Sequence, residues 1–189
     1  MKPPRPVIAA LFAMTLAGGQ ANALQPQATP TATPPVTIEG QGGLGTADAA
    51  WLRQKAREIR FEIEAAKLAR TKLGSSSLRK AATTLLNDAD RSQQELHDIA
   101  RRNEVMLPEK LEPAQQAELG HLRALNGAAL ASAFTQDMRA AAQRDSAADQ
   151  AEAAVARDKE LTRFVRQQQA YDHRHASQLP AHPPPARKG

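Results

Sequence analysis

The sequence predicts an all-α protein, an up-down-up-down four-helix bundle with an extra short helix before the third long helix. Three observations carry this prediction. Between residues 76 and 103 an apolar stripe recurs at steps of three and four, through Leu78, Ala82, Leu85, Ala89, Ser92, Leu96 and Ile99. Such a repeat needs a helix with one face buried against other helices. Stop and start signals for helices recur at short intervals along the chain. Acidic and basic residues also alternate at helical spacing, as in Arg60 and Glu64, the pattern of solvated helix faces.

The first residues read as a separate unit. Lys2 and Arg5 precede an apolar run over residues 7–17 that is too short to span a bilayer, and Ala21-Asn22-Ala23 gives a small-x-small cleavage pattern. Residues 1–23 are therefore expected to be a secretory signal peptide. Residues 24–45 are rich in Pro, Thr, Gln and Gly without apolar periodicity, and predict a flexible linker. Thr46 or Asp48 can cap the first long helix, which runs to about Lys72 with Leu52, Ile59, Ile63 and Ala66 inward and Trp51 and Phe61 beside them. Gly74 offers a left-handed closure, and Ser75 to Ser77 offer the cap of the second helix, so the two should form a tight antiparallel pair.

After about Asn103 comes an apolar loop, Val105-Met106-Leu107-Pro108, expected to fold over the bundle end. Pro113 suits the first turn of a short helix containing Leu119, Leu122 and Leu125, and Asn126-Gly127 predicts a break. The third long helix covers about residues 128–156, with Leu130, Phe134, Met138, Ala141, Ala148 and Val155 inward. Asp145 and Glu152 fall near that row and conflict with a purely apolar core. Asp158 caps the fourth long helix, whose stripe is Leu161, Phe164, Gln168, Tyr171 and His175. Pro180 and the Pro183-Pro184-Pro185 run stop it, so the bundle domain is read as 46–179 and the tail 180–189 as disordered.

Composition excludes several classes. The net charge is +5 and aromatics make up only 3%. That is too little clustered charge and too few stacking partners for a dedicated nucleic-acid binder. With no cysteine, thiol catalysis, disulfides, thiolate metal sites and a lipid anchor on an N-terminal cysteine are all excluded. No stretch is long and apolar enough to cross a membrane.

Phe61-Glu62-Ile63-Glu64-Ala65-Ala66-Lys67-Leu68-Ala69 is followed by Leu85-Leu86-Asn87-Asp88, Gln94-Glu95-Leu96 and Val105-Met106-Leu107-Pro108. Leu125-Asn126-Gly127-Ala128-Ala129-Leu130 and the spacing from Phe164 to His175 come next. Over roughly residues 47–179 this order is similar to a large bacterial family of exported ferritin-like helical bundles. That family is a domain of unknown function often labelled predicted outer membrane protein. Its members typically carry Asp-His in the middle of the second helix and again in the third, and inward His and carboxylate groups at mid-height can bind metal. Here Asp88 is followed by Ala89, and the third-helix pair corresponds to Ala141-Ala142, so both imidazoles implied by the resemblance are replaced by methyl groups. Glu62, Asp145 and His175 still match.

With helix ends level and directions alternating, Glu62 shares its height with Asp88, Ala89, Asp145 and Phe164. His175 then lies roughly 16 Å away, near Trp51 and Leu96. On that geometry Glu62, Asp88 and Asp145 are vestigial metal candidates. His175 is more simply a packed, hydrogen-bonded histidine at the end of the core. Glu62 and Asp145 on helix flanks would reach water or an arginine, and Asp88 beside Asp90 reads as surface charge. His173 and His175, two apart on a helix, point to opposite sides and cannot form a metal pair. His97 reads as a boundary residue and His121 as solvated.

The resulting expectation is a non-catalytic structural or interaction protein of the cell envelope, periplasmic or secreted, with no cofactor, no metal and an unidentified envelope protein as its partner. Two alternatives stand beside it. One is a metal-binding or redox bundle with a rearranged site of Glu62, Asp88 and Asp145, with or without a histidine such as His175. The other is an envelope chaperone-like binder that opens an apolar groove at the Ala-rich third long helix and the Val105 to Leu107 loop.

Overall fold

The computed structural model describes residues 43–180, so the expected signal peptide, most of the linker and the tail beyond Pro180 lie outside the described residues. The described chain is all helical: α1 (Thr46–Lys72), α2 (Ser76–Arg102), α3 (Pro113–Ala124), α4 (Gly127–Val155) and α5 (Lys159–Gln178), with no strand. None of these helices is long and apolar enough to cross a membrane.

The helix ends follow local chemistry. Asp48 accepts from the Gly45 N–H at 3.3 Å at the start of α1. Ser75 Oγ accepts from Leu78 N at the start of α2, and Asp158 Oδ1 accepts from Leu161 N at 2.7 Å at the start of α5. These bonds satisfy amide donors that the first helical turn leaves free. The left-handed closure expected at Gly74 is not used: Leu73 ends α1 in an extended conformation. Positive φ falls instead on Gly127, where the chain breaks between α3 and α4, and on Glu104. Glu104 closes α2 in a left-handed turn, with Val105 N donating to Ala100 O at 2.8 Å.

The closest helix pairs are α1–α2, α2–α5, α5–α4 and α4–α1, which close a ring of the four long helices. Named contacts give their directions. Lys55 meets Asp149, Arg123 meets Glu64, and Lys72 Nζ reaches the carbonyl of Leu125, so α4 runs antiparallel to α1. Arg102 pairs with Glu160 and Asp88 with His175, so α5 runs antiparallel to α2. In chain order the long helices therefore run up, down, down, up, and the expected up-down-up-down order is corrected. The reason is α3. It is held near Arg57 at its start through Glu112 and near the end of α1 at its close. It thus carries the chain back along α1, so α4 begins at the same end of the ring as α2.

The core holds Leu52, Ile59, Phe61, Leu85, Leu96, Leu130, Phe134, Met138, Leu161 and Phe164. Trp51 packs edge-on against Phe164, with ring centroids 6.1 Å apart. Leu119 and Leu122 bring α3 onto this core, and Val105 and Leu107 fold against it as expected, with Met106 exposed. The inward row of α4 departs from the predicted one. Beyond Ala141 it continues through Asp145, Asp149 and Glu152, all buried, whereas Val155 is 62% exposed.

Glu104 supplies a direct test of the helix closure. Its φ of 55 is unfavourable for a side-chain-bearing residue. Glu104→Gly is expected to raise unfolding free energy by about 0.5–1 kcal/mol, read as a higher denaturant midpoint at unchanged slope.

Candidate functional site

Helical spacing on three helices brings acidic side chains to one height. On α1, Lys55, Glu58 and Glu62 lie one turn apart, and α4 presents Asp145 and Asp149. On α5, Gln168, Asp172 and His175 follow the same interval. With Ala89 and Ser92 of α2 they surround a cavity of about 10 Å³, about the space of one water.

Carboxylate oxygens of Glu62, Asp145 and Asp172 lie within 4.8 Å of one another. Asp145 and Asp172 are buried, and Glu62 is half-buried. None of the three takes a hydrogen bond or an ion pair from another described residue, and Asp172 Oδ2 is fully enclosed without a donor. Burial, with like charges adding to it, holds the Glu62 carboxyl well above the usual carboxylate range. Asp145 is pushed up to about 7 and Asp172 to about 8, in both cases chiefly by burial, with Lys55 opposing.

One buried cation stands in this group. Lys55 Nζ lies 2.8 Å from Asp149 Oδ1 and 3.0 Å from Glu58 Oε2. Burial works against its charge, but Glu58, Asp149 and Asp145 outweigh it and hold the ammonium above the ordinary lysine range. The one ammonium bonds to Glu58 and Asp149 and leaves the triad of Glu62, Asp145 and Asp172 without a bonded counter-charge. Like carboxylates this close, two of them buried, resist ionising together, which favours bound protons or a cation at the triad.

A second cluster borders the cavity. Asp88 Oδ2 accepts from Arg174 Nε at 3.1 Å and Nη2, and lies 3.0 Å from His175 Nε2. His175 stacks on Tyr171, and Arg174 lies over the same ring. Burial lowers the His175 pKa, with the Asp88 bond opposing. Gln168 Nε2 donates to Ser92 Oγ at 2.9 Å and ties α5 to α2 at this height.

The structure thus rearranges the candidates. Glu62 and Asp145 converge inward instead of reaching water or an arginine. Asp88 is buried and paired, not surface charge. His175 is buried and hydrogen-bonded as expected, but it sits beside Asp88 and the cavity, not at the Trp51 end. Its displacement follows from the reversed direction of α5, which puts Asp172 and not Phe164 at the height of Glu62. His97, His121 and His173 are exposed. Asp172, Lys55 and Asp149 were not singled out by sequence. Asp172 lies four residues from Gln168 and three from His175, a spacing that marked it as well as Tyr171.

Ala89, Ala141 and Ala142 are all buried, so the α2 and α4 positions of the implied imidazoles carry no donor. The remaining oxygen donors fit a hard divalent cation better than an imidazole-rich redox centre. Fold and site together define an all-helical protein with a buried, incompletely neutralised carboxylate cluster at mid-height.

The chain belongs to the family described as Domain of unknown function (DUF4142), which matches residues 33–180. It is also similar to the crystal structure of a DUF305 fragment from Deinococcus radiodurans, with a TM-score of 0.67 and 12% identity over 73% of this chain and 95% of that one. At that identity the likeness concerns the fold alone. No curated protein matches.

Two outcomes follow from the electrostatics. Lys55→Met leaves Asp149 and Glu58 without their cation and should cost about 3 kcal/mol near pH 8, with most of the loss recovered in Lys55→Met/Asp149→Leu, measured by urea unfolding. Asp145 and Asp172 bind protons more tightly in the folded chain than at their ordinary value of 3.8. Stability should therefore fall as pH rises from about 4 to about 8, by up to about 1.4 kcal/mol per pH unit for each group. Asp172→Asn should flatten that slope in thermal melts; an unchanged slope would show that Asp172 ionises normally.

Proposed function

We propose that this chain is an exported ferritin-like four-helix bundle that holds one hard divalent cation through Glu62, Asp145 and Asp172, and that it works by binding rather than turnover. The observation that carries this reading is the convergence of three carboxylates that find no hydrogen-bond donor and no bonded counter-charge among the described residues. The order up, down, down, up with one long crossover is the ferritin-like arrangement of four helices, and such bundles build cation sites from facing helices at mid-height. Oxygen-only donors select cations of the calcium, magnesium or manganese type. The cavity beside the triad has space for about one water, which suits an ion and not an organic substrate held between the helices. Export, to the periplasm or beyond it, rests on the leader pattern of residues 1–23.

A second reading, a non-catalytic scaffold for an envelope partner whose triad holds protons, is favoured by the methyl groups at Ala89, Ala141 and Ala142 and by the fixed charge of Lys55. An apolar chaperone-like surface has less support. The large exposed apolar side chains among the described residues are Met106 and Val155, single residues on different segments.

Thermal unfolding with added calcium, magnesium or manganese at fixed ionic strength separates the first two readings. A bound cation at a hundred times its dissociation constant should add about 2.7 kcal/mol, and Glu62→Gln or Asp172→Asn should abolish the gain. Melting that responds to no divalent cation at pH 8 would leave the proton-holding scaffold.

A further inference from the structure

On the outer side of the carboxylate triad, α1, the start of α3 and α4 leave an open groove of about 540 Å³. Five acids line it: Glu58 and Glu62 from α1, Glu112 and Glu118 from the α3 side, and Asp145 from α4. Between them the wall is hydrocarbon, from Phe61, Ala141 and Ala148. One cation, Arg144, stands on the rim, exposed and without an ion-pair partner among the described residues. Arg57 neutralises Glu112 from the side at 2.9 Å. Asp145 is only 5% exposed, has no hydrogen bond or ion pair among the described residues, and lines both this groove and the inner cavity. An acidic wall alone would signify little. A buried, unpartnered carboxylate at its base is a group that the fold leaves to be satisfied from outside.

We infer that this groove is a binding site for a small aliphatic polyammonium cation, with one ammonium at Asp145 and Glu62 and another at Glu118. The volume lies in the range of small-molecule clefts, about 300–1,000 Å³, and far exceeds what one metal ion fills. Carboxylates separated by methyl and ring surface match a ligand in which charges are separated by methylene chains. A hard metal ion gains nothing from the hydrocarbon wall. Burial and the nearby Asp137 raise the Glu118 pKa while Arg144 lowers it, so an arriving cation favours the ionised form of Glu118. Arg144 is the tethered competitor of this ligand. The site shares Glu62 and Asp145 with the proposed metal site but not Asp172, which does not line the groove.

That difference keeps the two ideas separable. Isothermal titration of the mature protein with spermidine at pH 8 and fixed ionic strength is expected to show saturable one-to-one binding. Glu118→Gln should weaken it about threefold to fivefold, the loss of one partly exposed ion pair, and Arg144→Gln should strengthen it. Glu118→Gln should leave stabilisation by divalent cations intact, whereas Asp172→Asn should remove that stabilisation and spare spermidine binding. Absence of saturable binding, or binding that neither rim substitution changes, would overturn the inference. Spermidine binding lost in Asp172→Asn but kept in Glu118→Gln would also overturn it, because the ligand would then occupy the inner cavity.

Discussion

A single ammonium group, that of Lys55, is surrounded by carboxylates at the middle of the protein, and much of the structure follows from how that imbalance is held. Lys55 bridges Glu58 on its own helix and Asp149 on α4, and so ties α1 to α4 where the α4 stripe ceases to be apolar. Glu62, Asp145 and Asp172 sit beyond the reach of its bonds. Such an arrangement is not a stabilising device. Replacing a buried ion pair by well-packed hydrocarbon is often neutral or favourable, and unpaired buried acids are worse still. The apolar layers on either side have to outweigh it. One holds Trp51, Phe164 and Leu52, and the other Leu85, Phe134 and Leu130.

The crossover through α3 is the second determinant, because it decides which residues share a height. The four long helices, the short α3 and every break between them were legible in the sequence, since each rests on local signals: Ser75 and Asp158 as caps, Pro113 in a first turn, Asn126-Gly127 as an interruption. Direction is not a local signal. A twelve-residue α3 can lie across the end of a bundle or climb along it, and nothing in its own residues distinguishes the two. The ion pairs at its two ends, Arg57 with Glu112 and Arg123 with Glu64, link it to positions far away in the chain. Once α5 is reversed, Asp172 replaces Phe164 opposite Glu62, and His175 moves to Asp88.

The candidate site was legible in part for a related reason. Glu62 and Asp145 could be singled out, and Asp145 and Glu152 were visible as conflicts with an apolar row. Periodicity arguments prefer apolar residues when they choose among neighbouring positions. On α4 that preference shifts the row towards Ala148 and Val155, although the inward row passes through Asp145, Asp149 and Glu152. On α5 it selects Tyr171 over Asp172. On α1 a lysine between Leu52 and Ile59 reads as a flank, yet Lys55 is buried. Local rules fail here where buried charges gather, which is where function most often sets sequence against stability.

The composition of α4 explains how short carboxylates can meet at all. An aspartate extends only one methylene beyond its backbone, so Asp145 and Asp172 can converge only if α4 and α5 lie close to each other and to α1. Alanine makes that approach possible: Ala141 and Ala142 are buried just before Asp145. Each alanine buries little apolar area, so close packing is obtained at the expense of the hydrophobic term that larger side chains would supply. The same methyl groups that remove the imidazoles implied by the family resemblance thus let the helices draw together around oxygen donors. A chain that only needed a stable scaffold would gain by placing leucine or isoleucine at Asp145, whereas Asp149 already has its opposite charge in Lys55.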